Sequence, residues 1–154
     1  MRIPIYQIDA FSSQPFKGNP AAVCPLKEWL PDEVMQSIAM ENNLSETAFF
    51  IKNEDQYDIR WFAPKIEIDL AGHPTLATAH VIFNEMNHQG DSITFNSKIG
   101  DTLDITRDKD IISMNFPSRP PKKIYKKELI EEAIGVEVEE FYENRDGLAV
   151  VANE

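Results

Sequence analysis

The chain has 154 residues, of which 42% are hydrophobic, so it has the size of one ordinary domain and enough apolar residues for a packed core. Its 15 lysines and arginines face 26 aspartates and glutamates, and the formal charge of -11 disfavours nucleic acid as a partner because phosphates would be repelled. The single cysteine, Cys24, excludes an intrachain disulfide. No segment has the long apolar run of a membrane span or a leader, so we expect a cytoplasmic protein without membrane association.

The first third of the chain carries signals for a strand, a turn and a helix. Residues 1–11 alternate apolar and polar side chains and predict a first strand. Gly18-Asn19-Pro20 predicts a tight turn, since glycine and asparagine tolerate positive φ and proline fixes the step that follows. A helix should begin at Leu30-Pro31-Asp32-Glu33, where proline stands in the first turn and acidic side chains lie at the positive end of the helix dipole.

The middle of the chain predicts a hairpin followed by a buried helix. Residues 46–50 and 57–62 predict two strands joined by a polar turn. Residues 66–70 alternate and predict a further strand. Residues 72–86 contain a proline in their first turn and then mainly apolar and small side chains, which predict a helix that packs closely on a sheet.

Three further short strands, separated by turns rich in glycine and aspartate, are predicted around residues 93–95, 103–105 and 111–116. Strands in this number, with one strongly apolar helix among them, indicate a mixed, mostly antiparallel sheet wrapped around a central helix. The fold class predicted from the sequence is therefore α+β.

The last part of the chain differs in composition. Pro117–Lys123 is rich in proline and lysine and predicts a linker. Residues 129–134 fit a short helix closed by Gly135. Residues 136–141 and 148–151 fit two more strands around a polar turn.

Two features of the sequence indicate chemistry. Glu46 places a carboxylate where a strand enters the core, which costs free energy unless the charge has a partner or a task. Gly72, His73, Pro74 and Thr75 stand at a helix start, where free amide N–H groups can bind an anion. Each feature alone also fits an ordinary structural role, a solvated glutamate or a plain helix cap. Together they favour proton transfer on a small carboxylate substrate.

Four ordered segments resemble the N-terminal half of the phenazine-biosynthesis PhzF-like family. They are GNPAAVC (Gly18–Cys24), ENNLSETAFF (Glu41–Phe50), IRWFAPKIEIDLAGHPTLATAHVIF (Ile59–Phe83) and NFP (Asn115–Pro117). Four motifs in order are far more specific than one short pattern. The resemblance implies a diaminopimelate-epimerase-like fold, in which two similar α/β halves enclose an active site between them.

The resemblance also implies roles for individual residues. The family's catalytic glutamate corresponds to Glu46, and its substrate-binding Gly-His pair corresponds to Gly72 and His73. Asn19 is a further ligand candidate through its side-chain amide, because its loop borders the site in the family. The implied activity is that of a cofactor-independent isomerase, which moves a proton within a small carboxylate-bearing metabolite.

The domain organisation follows from the same resemblance. Residues 1–117 would form the N-terminal epimerase-like domain, and residues 118–154 would form a linker and the truncated start of a second, similar domain. Roughly half of the family's architecture would then be absent. A homodimer or a complementing C-terminal half is the expected macromolecular partner, and a truncated, non-catalytic half or a binding module is the alternative function.

An amino-acid racemase or epimerase is a second alternative. In the related epimerases two opposed cysteines act as base and acid, and the first stands in a Cys-Gly-Asn-Gly motif. The corresponding run here is Ala71-Gly72-His73-Pro74, and Cys24 lies outside it, so residue identity disfavours a two-thiol mechanism. A zinc site at His73 and His80 is also disfavoured, because no HExxH motif or cysteine pair accompanies them.

Overall fold

The computed structural model describes residues 2–153. The chain divides into two compact units, residues 1–116 and 117–154. Within the described residues, the first unit contains eight strands and two helices, and the second contains three strands and one short helix. None of the described helices has the length and apolar character that a bilayer crossing requires.

One sheet contains all eight strands of the first unit. In chain order the elements are β1 (Tyr6–Ala10), β2 (Asn19–Leu26), α1 (Asp32–Asn42), β3 (Glu46–Asn53), β4 (Gln56–Phe62), β5 (Glu67–Ile68), α2 (Gly72–Asn84), β6 (Ser92–Ser97), β7 (Thr102–Asp108) and β8 (Ile111–Asn115). The strand order is β1-β2-β3-β4-β6-β7-β8, and β5 pairs with β4. The β2–β3 and β4–β6 pairs are parallel, whereas the other pairs are antiparallel. The predicted α+β class is confirmed.

Helix α2 is the centre of the first unit. Pro74 and most of the residues after it as far as Phe83 are buried. Ala77 and Ala79 join the same apolar cluster as Phe50 of β3, since small side chains let the helix backbone approach the sheet. The helix contacts strands from both ends of the sheet order, β1, β2, β3 and β8. The sheet therefore curls around α2, as the sequence predicted.

Helix α1 covers the other face of the sheet. Met35 and Ala39 of this helix pack in a second cluster with Cys24, Phe49 and Phe62. The Phe49 and Phe62 rings meet edge to face at 5.5 Å between centroids. Because β3 is covered on both faces, its consecutive residues 47–50 are all buried, which explains the run of apolar side chains there.

Arg60 of β4 is a buried arginine that forms ion pairs near the start of α1. Its Nε and Nη2 donate to the two carboxylate oxygens of Glu67 at 2.6 and 2.8 Å, and its Nη1 donates to Asp32 at 2.9 Å. The guanidinium also lies over the rings of Trp29 and Phe62. The hydrogen bonds from Arg60 hold the pKa of Glu67 below its usual range. This ion pair joins β4, β5 and the start of α1.

The structure corrects three boundaries in the first unit. The predicted strand at residues 66–70 is wrong in length: β5 covers Glu67–Ile68, because it pairs with the last two residues of β4 before the chain turns into α2. The middle residue of the predicted turn, Asn19, already belongs to β2. Helix α2 ends at Asn84, so Met86 lies beyond it and is exposed.

The second unit consists of a small antiparallel sheet and a seven-residue helix. Its elements are β9 (Lys122–Ile124), α3 (Glu128–Ile134), β10 (Glu140–Glu143) and β11 (Gly147–Val150), and the strand order is β11-β10-β9. Gly135 ends α3 with a φ of 74°, as its position predicted. The predicted linker is wrong at its end, since β9 begins at Lys122, and the strand predicted at residues 136–141 begins only at Glu140. An edge strand tolerates lysines because their side chains remain in solvent.

Replacing Arg60 by methionine should lower the free energy of unfolding by roughly 2 kcal/mol at neutral pH, because Glu67 loses its charged hydrogen bonds to Arg60 and keeps only Lys98 as a partner. Arg60 lowers the pKa of Glu67 in the folded state, so its stabilisation is present above the ordinary glutamate pKa and is lost as pH falls through the folded value. Urea unfolding at several pH values measures this. The difference in unfolding free energy between the parent and the variant should shrink in acid. A difference that does not change with pH would contradict the stabilisation of Glu67 by Arg60. Lys52→Met, at an exposed position in β3, is the control and should cost less than about 0.5 kcal/mol.

Gly18 should tolerate no side chain, because a Cβ there would lie 2.4 Å from the carbonyl oxygen of Ala10 in β1. We expect Gly18→Ala to destabilise the fold by roughly 2 kcal/mol through this overlap. Gly72→Ala is a matched control, since nothing lies within 4 Å of a Cβ at that position. Thermal unfolding should show a lowered midpoint for the first variant and an unchanged or slightly raised one for the second.

Candidate active site

The parallel pairing of β2 and β3 sets the position of Glu46. The register places Ala21 opposite Glu46, so both strands begin at the same edge of the sheet. Side chains alternate along a strand, and Glu46 therefore shares a face with Ala48 and Phe50. Those two residues pack in the cluster that contains α2. The Glu46 carboxylate consequently stands on the side of the sheet that covers the central helix.

The first turn of α2 reaches the same place. Ala71 caps the helix in an extended conformation, and Gly72 and His73 are its first two residues. The His73 Nε2 atom lies 3.2 Å from the Glu46 Oε2 atom, and the two side chains are 11% and 18% exposed. The structure thus brings together the two residues that the motifs single out.

Glu46 Oε2 is buried, and among the described residues it has no hydrogen-bond partner. His73 Nε2 is near enough, but the directions of the two groups do not give hydrogen-bond geometry. A buried polar atom without a partner costs about 1–3 kcal/mol, so folded proteins keep few of them. Here the unpartnered oxygen lies beside an imidazole at a helix start.

Ser45 is the residue of this group that the sequence argument did not identify. Its Oγ atom lies 3.4 Å from Asn19 Oδ1, to which it donates, and 3.4 Å from His73 Nε2. Asn19 stands exposed at the start of β2, across from the start of β3. The only sequence signal for Ser45 was its position directly before Glu46 within a matched motif.

The four residues predicted at the helix start differ in what they present. Pro74 has no N–H group and is buried, and Thr75 is buried with its hydroxyl donating to the Ala71 carbonyl oxygen at 2.6 Å. Gly72 is exposed and His73 is half-buried. The first turn of α2 contains no acidic residue that would offset the positive end of its dipole. Gly72 and His73 are therefore the accessible part of the predicted anion site.

The candidate site is open to solvent on one side. Asn19, Ser45 and Gly72 form its exposed rim. A surface cavity of about 480 Å³ in the same unit lies farther along α2, beside His80 and Asp9, and Glu46 does not line it. The described residues of the first unit therefore provide one wall of a site.

Cys24 and His80 do not join this group. Cys24 packs in the cluster beneath α1, on the opposite face of the sheet from Glu46, and burial raises the pKa of its thiol to about 12. His80 is exposed, and its Nδ1 lies 3.1 Å from the side-chain nitrogen of Asn84 on the same helix. Neither side chain contacts Glu46 or Ser45.

The curled mixed sheet around a buried helix is an α+β fold that solved structures share. A structure described as a predicted epimerase from Pseudomonas aeruginosa shares this fold at 22% identity, with a TM-score of 0.59 over 78% of this chain and 46% of that one. The chain belongs to the family described as phenazine biosynthesis-like protein (PhzC-PhzF), whose model matches residues 8–147.

Similar proteins are longer than this chain. An uncharacterized isomerase of Pseudomonas aeruginosa is 44% identical over 154 residues, which cover 100% of this chain and 59% of that protein. The crystal structure of a PhzF-family phenazine biosynthesis protein from Enterococcus faecalis matches with a TM-score of 0.90 and 45% identity, over 100% of this chain and 59% of that one. The chain thus spans about three-fifths of the length of these relatives.

The burial of Cys24 predicts an unreactive thiol. A pKa raised from 9.0 to about 12 lowers the thiolate fraction about a thousandfold, and burial also blocks access. Alkylation of the folded protein by iodoacetamide should therefore be at least a hundredfold slower than alkylation of the urea-unfolded chain, as followed by mass spectrometry. Equal rates in the two states would contradict the placement of Cys24 in the core.

Proposed function

We propose that this chain provides the proton-transferring half of a cofactor-independent isomerase that acts on a small carboxylate-bearing metabolite. The observation that carries the proposal is the buried, unpartnered Oε2 of Glu46, 3.2 Å from His73 Nε2. Such an oxygen is free to accept a proton from a substrate carbon. Family membership and the similarity to a relative named as an isomerase support the same reaction class.

The start of α2 is the proposed binding site for the substrate carboxylate. The backbone N–H groups of Gly72 and His73 lie in the first turn, where amides without helical acceptors and the helix dipole favour an anion. The Asn19 side-chain amide on the exposed rim is a further donor. The formal charge of -11 on the chain repels an anionic substrate at long range. Binding of the carboxylate therefore depends on these close contacts.

In the proposed reaction, Glu46 breaks a C–H bond that the substrate's own conjugation has activated. The proton forms the Glu46 O–H bond, and the electron pair stays on the substrate, where hydrogen bonds from the backbone N–H groups at the helix start stabilise the developing charge. Glu46 then returns the proton to a second carbon on the same face. The substrate is neither oxidised nor reduced overall, and one carboxyl group serves as both base and acid.

The other wall of the site comes, in this proposal, from polypeptide equivalent to the remainder of the longer relatives or from a second copy of the chain. Residues 118–154 are then a linker and the start of a second domain similar to the first. A site with two walls would exclude water from Glu46, and exclusion of water strengthens the electrostatic interactions on which proton transfer depends.

A non-catalytic binding half is the second candidate, and the open rim of Asn19, Ser45 and Gly72 favours it. With one wall, the same donors can still hold a carboxylate, but the bound ligand stays open to solvent, which weakens the electrostatic interactions that proton transfer needs. Assembly separates the two candidates. Under the enzymatic proposal, sedimentation should show that the chain associates with a second copy or a complementing half. A strict monomer that still binds carboxylates in a titration would favour the binding half.

The decisive substitution is Glu46→Gln, which keeps the shape of the side chain and removes the proton acceptor. The assembled protein is incubated in D₂O with a panel of small amino and hydroxy acids, and deuterium in the recovered acids is measured by mass spectrometry. We expect the variant to lose at least about a hundredfold of the exchange rate.

Glu41→Gln, an exposed position on α1, is the matched control and should exchange at the parent rate. Undiminished exchange in Glu46→Gln would show that another group moves the proton. Absence of exchange in the parent protein, in every assembly state and with every acid, would favour the non-catalytic half.

A further inference from the structure

Three side chains converge beside Glu46: Asn19 from β2, Ser45 from the turn before β3, and His73 from α2. Ser45 Oγ lies between Asn19 Oδ1 and His73 Nε2, at 3.4 Å from each. These distances are at the long end of hydrogen-bond lengths, as is common in sites that tighten when they bind a substrate. His73 Nε2 is at the same time 3.2 Å from Glu46 Oε2.

The position of the imidazole hydrogen follows from the neighbours of Nε2. If Nε2 carried only a lone pair, two electron-rich atoms would lie 3.2 Å apart with no hydrogen between them, which is electrostatically unfavourable even though they are not in line. An N–H at Nε2 instead has the Ser45 hydroxyl as its hydrogen-bond partner, and it lies near the Glu46 carboxylate without being aligned to it. The Ser45 hydroxyl must then accept from His73, and its own hydrogen goes to Asn19 Oδ1.

We propose that Ser45 is a positioning residue, which draws the His73 Nε2–H away from Glu46 through the relay His73 Nε2–H to Ser45 Oγ–H to Asn19 Oδ1. This inference rests on the proposed role of Glu46 and adds how the chain keeps that carboxylate oxygen free. Without Ser45, a small rotation of the imidazole would turn its N–H toward Glu46, and a hydrogen bond from an imidazole to a carboxylate would occupy the proton acceptor.

The relay also orients Asn19. Because the Oδ1 atom accepts from Ser45, the amide nitrogen of Asn19 has to point elsewhere, on a side chain that lies exposed at the rim. Two N–H donors then face a ligand at this position. The relay therefore specifies an acceptor group, such as a carboxylate oxygen, for the part of the substrate that contacts Asn19.

The test measures the His73 ring nitrogens by long-range proton–nitrogen NMR in the chain as it stands, at a pH where the imidazoles are neutral. His73→Gln assigns the signals against those of His80 and His88. We expect His73 to be the Nε2–H tautomer. Ser45→Ala should move the Nε2–H proton downfield, because its hydrogen bond shifts from a hydroxyl to the Glu46 carboxylate. Ser45→Thr retains a hydroxyl and should restore the parent position.

Ser37→Ala removes an exposed serine hydroxyl on α1 and should leave the His73 signals unchanged. If Ser45→Ala does not fold, Asn19→Asp provides the same test, since a charged acceptor at the exposed end should strengthen the relay and move the His73 signals in the parent fold. An Nδ1–H tautomer in the parent chain, or an unchanged Nε2–H proton in the variants, overturns the relay. Neither result bears on deuterium exchange by Glu46, so the two proposals fail separately.

Discussion

The parallel pairing of β2 with β3 is the constraint on which the candidate site depends. Parallel neighbours begin at the same edge of a sheet, so Asn19 and Glu46 come together there although α1 and its connections separate them in sequence. An antiparallel pairing would have placed the start of one strand beside the end of the other. Helix α1 provides the crossover, and its apolar face covers the sheet on the side away from the site.

The central helix completes the site by packing and not by polar attraction. Helix α2 is held by apolar contacts along most of its length, and those contacts fix where its first turn emerges. His73 is therefore brought to Glu46 whether or not the two side chains bond to each other. A carboxylate oxygen without a partner can persist there because the surrounding core stabilises the fold independently of it.

The two faces of the sheet separate reactive from inert groups. Glu46 stands on the inner face at the open edge, whereas Cys24 lies on the outer face within an apolar cluster that raises its pKa. A mechanism with one carboxyl group therefore fits the chain better than one with a thiol pair. The Ser45 hydroxyl is a neutral group at the same edge and contacts Asn19 and His73.

The sequence by itself determined the features that depend on neighbours along the chain. The start of α1 after Pro31, the proline in the first turn of α2 and the end of α3 at Gly135 follow from local backbone chemistry. The buried character of α2 followed from its composition, and the motifs singled out Glu46 and His73.

Only the tertiary structure decided how these parts meet. The 3.2 Å approach of His73 to Glu46 and the place of Ser45 in the relay depend on strand register and on the docking of α2, which no local pattern contains. The strand at Lys122 was likewise decided by its pairing with β10, which comes after α3 in the chain. Secondary structure begins with short-range preferences, but a site built from three elements exists only where long-range packing has fixed all three at once.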